Sequence, residues 1–297
     1  GVCWRAVSIC WDLRLRRGCK KMEARRKITL GGLWSRLYPV LVYMSIQLTA
    51  SIVYMVVIVA FAAISGDMPA DLEEYILNQY TEGTVLVVLL ASLLTIPLFA
   101  WLYYRDTQKK KRVGWNEEWF PLTEWELFWA AIGSAALALF CNGLLSILPL
   151  EPWSDSYEEV NEALYTGSIW LRIAAVGFFG PIVEELTMRG LMYQRFRTMM
   201  RPTAAILWSA LVFGLFHGNV VQGIYAFLVG LFFAWLMEHS QRILVPMLGH
   251  MAANLFIVLL EDSRLLNLFY SSTGGFLGML VLSGIIFAWS FSMIKHA

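Results

Sequence analysis

G-P-I-V-E-E-L-T-M-R-G, Gly180 to Gly190, is the stretch whose reading decides the fold. It lies inside a long apolar run yet carries three ionisable side chains, Glu184, Glu185 and Arg189. A charge near the centre of a bilayer costs roughly 2.5–3.5 kcal/mol on insertion scales, so intramembrane charges are rare and mark function. Neighbours on a helix lie about 100° apart around its axis, so the two glutamates are expected on different faces. Glu185 and Arg189, at i,i+4, can pair. Glu184 is left pointing elsewhere and needs a partner of its own.

Composition places that run in a membrane. Of 297 residues, 58% are hydrophobic and 15% charged, where a soluble domain carries about 25% charged residues. Mean hydropathy is +0.59. Eight segments are long enough to cross ~30 Å of hydrocarbon: 38–64, 84–104, 127–148, 168–193, 203–219, 223–239, 243–260 and 274–294. The expected fold is all-α, a polytopic transmembrane helical bundle of about eight spans.

The connecting charges alternate. Arg25, Arg26, Lys27 and Arg36 flank the first span, Lys109 to Arg112 fill the second loop, Arg195, Arg197 and Arg201 the fourth, and Arg242 the sixth. The first and third loops are acidic instead, with Asp71, Glu73, Glu74, Glu158 and Glu159. By the positive-inside rule both termini face the cytoplasm, and the expected location is a bacterial cytoplasmic membrane. Thr123 is placed to cap the third span, with Trp115, Trp119 and Trp125 at the interface.

The net charge of +1 carries no information about partners, and no basic–aromatic interleaving points to nucleic acid. Cys3, Cys10, Cys19 and Cys141 show no C-x-x-C pair or disulfide spacing. The first methionine is Met22, and residues 1–21 are unlike the rest of the chain in character. They are read as a non-native or disordered extension and set aside.

Polar residues suited to chemistry gather between 168 and 254. Pro181 removes a backbone hydrogen bond and should kink the helix just before the glutamates. F-G-L-F-H ends on His217, and G-H-M-A-A-N puts His250 and Asn254 at i,i+4 on one face. The fourth and fifth spans should form a hairpin turning at Arg201-Pro202, with Glu184 and His217 roughly 26 and 22 Å from the turn. The expected cluster of Glu184, His217, His250 and Asn254 lies within the membrane, nearer the cytoplasmic side. Each residue alone has a bland reading, as helix–helix glue or, for Glu185–Arg189, a structural pair. Two histidines, a glutamate and an asparagine at one depth exceed what packing asks for.

Taken in order, E-E-x-x-x-R (Glu184, Glu185, Arg189), F-x-x-x-H (Phe213, His217) and H-x-x-x-N (His250, Asn254) resemble the three motifs of the CPBP family. That family holds the CAAX prenyl proteases and bacterial relatives linked to bacteriocin processing or immunity. The resemblance extends to Gln222, Gly230 and the I-L-V-P stretch before His250. It implies variable membrane helices over 22–165, a catalytic membrane core over 166–297, and an intramembrane endopeptidase acting on a protein or peptide. Glu184 would then activate water, His217 would help hold it, and His250 and Asn254 would stabilise the oxyanion. Glu185, Arg189 and Phe213 would be supporting. A desolvated carboxylate suits a proton shuttle, and oxyanion donors act best where water is excluded. No cofactor is favoured, although Glu184, His217 and His250 are also a conceivable zinc set. The competing reading is a transporter using the same groups as a proton relay, against which stands the lack of inverted repeats.

Overall fold

The computed structural model describes residues 30–66, 68–112, 123–148 and 155–296. The readings made of residues 1–21, of Arg25, Arg26 and Lys27, and of Trp115 and Trp119 lie outside these. Ten helices run in order along the described chain: α1 Leu30–Ser65, α2 Leu72–Arg112, α3 Glu124–Leu145, α4 Asp155–Tyr165, α5 Ile169–Arg197, α6 Pro202–Phe216, α7 Val220–Ser240, α8 Leu244–Asp262, α9 Leu265–Tyr270 and α10 Thr273–His296. Among the described residues there is no strand.

Six helices, α1, α2, α3, α7, α8 and α10, are each long and apolar enough to cross a membrane. The pair α4–α5, bent by 112°, makes a seventh candidate. The fifth expected span, 203–219, falls short. At 15 residues, α6 rises only about 22 Å. It stops at His217 because Gly218 takes φ +77°, a conformation that costs glycine nothing. Asn219 then starts α7 by accepting a hydrogen bond from the Gln222 N–H. Hydropathy could not see this stop, since apolar residues continue on both sides of it. Thr123 caps α3 as expected, accepting from Glu126 N–H at 3.1 Å.

Buried side chains of α3, α5, α6, α7 and α8 form the larger core, with Phe213, Phe233, Met188 and Leu236 at its centre. Tyr43, Phe99, Val183 and Leu191 join α1 and α2 to α5 in a second cluster. The outer helix α1 shows Leu48, Val56 and Phe61, as a lipid-facing helix must.

The two ends of the bundle are chemically distinct. At one, Arg195 pairs with Asp106 at 2.7 Å and donates to Ser35 O and Tyr38 Oη, while Arg197 pairs with Glu238 at 2.7 Å. His239 reaches Ile294 O at 3.0 Å, bringing the end of α10 to the same place. At the other end Arg172 pairs with Asp262 and Thr166 donates to Thr81 O. The alternation read from the sequence is therefore physical: the basic connections meet at one end and the acidic ones at the other.

Candidate active site

Helix α5 is not a uniform α-helix. Residues Ile173–Phe179 and Leu186–Tyr193 are π-helical, on either side of an α-helical Gly180–Glu185. Such wide turns recur at functional sites. In the first, Gly180 N–H bonds to Ala175 O, five residues back. The next donor in that register, the one Val176 O would receive, belongs to Pro181, which has no N–H. Asn254 takes the vacant acceptor, its Nδ2 donating to Val176 O at 2.9 Å. The expected kink at Pro181 is thus a change of helical register, and it holds α8 against α5.

The two glutamates keep to different faces yet reach the same histidine. His250 Nδ1 lies 2.9 Å from Glu185 Oε1, and its Nε2 lies 3.7 Å from Glu184 Oε2. The expectation that Glu184 needs a partner apart from its neighbour's is corrected. One imidazole, with nitrogens facing two directions, spans both carboxylates.

Glu185 and Arg189 are fully buried and pair at 2.7 Å, as the i,i+4 spacing predicts. Arg189 also donates to Gly230 O at 2.9 Å. Its guanidinium lies 4.6 Å from the Phe213 ring centre and 5.5 Å from that of Phe233, within cation–π range. Phe233 stacks on His250 at 4.7 Å and Phe213 meets it edge-on at 5.8 Å. Gly230 leaves room for this: a Cβ there would come within 2.9 Å of Phe213 and 3.3 Å of Arg189. Sequence reasoning placed Phe213 and Gly230 but missed Phe233, which no motif spacing marks.

His217 caps the end of α6 with Nδ1 2.8 Å from Phe213 O. A carbonyl oxygen only accepts, so Nδ1 carries the proton, and Nε2 of the neutral ring is an acceptor.

Glu184, His217, His250 and Asn254 line one cavity of about 940 Å³, while Glu185 stands behind its wall. The four therefore face one shared space, as their matched depth implied. The site was expected nearer the basic connections, and the cavity extends from it toward the opposite end, past Glu158, Asn161 and Glu261. Among the described residues no three His, Cys, Asp or Glu side chains converge as metal ligands. The Nδ1 of His250 faces Glu185 and that of His217 faces a carbonyl, and these contacts fix the orientation of both rings.

Residues 166–256 match the family described as type II CAAX prenyl endopeptidase Rce1-like. Over 138 residues the chain is 26% identical to the Bacillus subtilis (strain 168) protein named "Putative membrane peptidase YdiL"; this covers 46% of the chain and 56% of that protein. The match thus spans little more than half of the relative's length. No solved structure matches. All three motifs fall inside the matched stretch, on α5, α6 and α8, and it is through that core that the chain is similar to the type II CAAX prenyl endopeptidases.

Proposed function

We propose that the chain is an intramembrane endopeptidase in which Glu184 activates the attacking water. One observation carries this reading: Glu184, His217, His250 and Asn254 line a single cavity, with the fully buried Glu185 bracing His250 from behind. A proton relay needs a chain of titratable groups leading across the membrane. Here they gather around one chamber.

Each step uses a group already placed. Glu184 takes a proton from water as the water oxygen bonds to the scissile carbonyl carbon. His217 Nε2 accepts a hydrogen bond from that water and orients it. The resulting oxyanion meets the second amide hydrogen of Asn254, whose first is spent on Val176 O. His250 donates Nε2–H to it only when the ring carries both protons, a charge faced by Glu185 on one side and by the oxyanion itself on the other. The C–N bond then breaks as Glu184 returns its proton to the leaving nitrogen, giving a carboxylic acid and an amine, and the acid's proton passes to the amine to leave carboxylate and ammonium. Fixed donors in a water-poor site stabilise developing charge far better than in solvent. No step calls for a metal.

The test is hydrolysis itself. Purified protein in lipid nanodiscs is given a quenched peptide library in ¹⁸O-labelled water, and products are read by mass spectrometry. The expected products carry ¹⁸O at their new C-termini, with none formed by Glu184→Gln. Proton flux in proteoliposomes without any cleavage would favour the relay instead.

A further inference from the structure

Among the described residues, the cavity reaches one end of the bundle and not the other. Its walls run from Glu184 and His250 to Asn161 and Tyr165 on α4, Glu261 on α8, and Arg264 and Asn267 beyond it. Glu261, Arg264 and Asn267 are exposed, so this is a mouth. None of the residues that tie the basic end together, Ser35, Asp106, Arg195, Arg197 and Glu238, lines it. On that side the space behind the cluster is filled by buried Met188, Met192, Tyr193, Leu236, Met237 and Val245.

The two ends also differ in which face of a membrane they suit. The connections at the closed end hold Lys109, Lys110, Lys111, Arg112, Arg195 and Arg197. Those at the open end hold Glu73, Glu74, Glu158 and Glu159 with Arg172 and Arg264, fewer basic residues than the closed end. Lys and Arg in short connections set orientation, and the end rich in them stays in the cytoplasm.

We propose that the substrate reaches Glu184 from the extracytoplasmic face. Its class is then a translocated peptide, or an exported segment of a membrane protein, and not the cytoplasmic tail of a protein. This rests on the protease reading above and adds the direction of approach. The depth sets a further requirement. From His250 to Asp262, α8 rises roughly 18 Å at 1.5 Å per residue. Extended chain covers about 3.3 Å per residue, so about six unfolded residues separate the mouth from the scissile bond.

Two measurements test this separately. Asn161→Cys and Lys111→Cys are made in a background with Cys3, Cys10 and Cys19 replaced by serine, Cys141 being buried. Each is probed with a membrane-impermeant maleimide in spheroplasts and in sealed inverted vesicles. Asn161→Cys should label in spheroplasts and be protected in inverted vesicles, and Lys111→Cys should do the reverse; the opposite pattern overturns the proposal. An impermeant quenched peptide library is then added to both preparations. Cleavage that appears in right-side-out vesicles, is lost with Glu184→Gln, and appears in inverted vesicles only after permeabilisation supports it. Cleavage by sealed inverted vesicles overturns it. No cleavage in either orientation or in detergent sinks the protease reading itself, while the labelling still reports which face the cavity meets.

Discussion

Nδ1 of His250 lies 2.9 Å from Oε1 of Glu185, the glutamate that faces away from the cavity. This contact gives the second glutamate of the motif a task that the first cannot share. Glu185 holds the imidazole in one orientation, Arg189 holds Glu185, and Gly230 O holds Arg189. A line of contacts thus runs from the α7 backbone to the nitrogen that faces Glu184.

Glu185→Gln leaves Arg189 as an uncompensated buried charge, a change that costs about 3–5 kcal/mol for buried pairs. Thermal unfolding in detergent should show a large drop in midpoint. Glu185→Gln with Arg189→Met removes both charges and should recover much of that stability. Proteolysis should stay low in the double variant, because His250 has lost its brace. Full recovery of activity would mean that Glu185 serves Arg189 alone.

The Asn254–Val176 bond predicts a pairwise rescue. Asn254→Leu strands a carbonyl in the π-turn, at a cost of about 1–3 kcal/mol. Pro181→Ala supplies the missing N–H, so the double variant should be more stable than the sum of the two changes predicts. Contacting residues show such coupling at about 0.5–3 kcal/mol. Strict additivity in unfolding measurements would contradict the account of the register change.

Gly230→Ala pushes a methyl group against Phe213 and Arg189. Overpacking of a tight core costs roughly 1–3 kcal/mol. The expected signature is a lower unfolding midpoint together with reduced cleavage, since Phe213 and Arg189 both bear on His250. A variant as active and stable as wild type would show that this packing is slack.

Much of the architecture is legible in the amino-acid sequence. The apolar segments mark the helices, the charge alternation marks the two ends, and motif residues on three helices mark the cavity lining. What stayed hidden depended on geometry finer than a helical period. Two adjacent glutamates look divergent at 100° per residue, yet one imidazole bridges them because its nitrogens point apart. Pro181 signalled a lost hydrogen bond, but the orphaned acceptor emerges only with the π register. The stop of α6 at Gly218 and the amphipathic α4 over the mouth were missed for a simpler reason. The first leaves an apolar run unbroken, and the second is polar enough to read as a connecting loop.

Metal dependence is checked by chelation. His250 and Asn254 face one cavity, and an amide is a poor zinc ligand but a good oxyanion donor. Cleavage by purified protein should survive strong chelators, and Asn254→Asp should cripple it by setting a carboxylate against the oxyanion. Loss of activity on chelation, restored by zinc in proportion to zinc bound, would overturn the metal-free mechanism.

The central claim is that Glu184 is the base. Glu184→Gln keeps the shape and hydrogen bonding of the side chain and removes only its capacity to take a proton. Cleavage of the peptide library by wild type and variant, both in nanodiscs and with matched unfolding midpoints, decides the matter. Positioned general bases contribute about 10²- to 10⁴-fold, so the account predicts a loss of at least that order with the fold intact. A Glu184→Gln enzyme that still cleaves at near wild-type rate would contradict it.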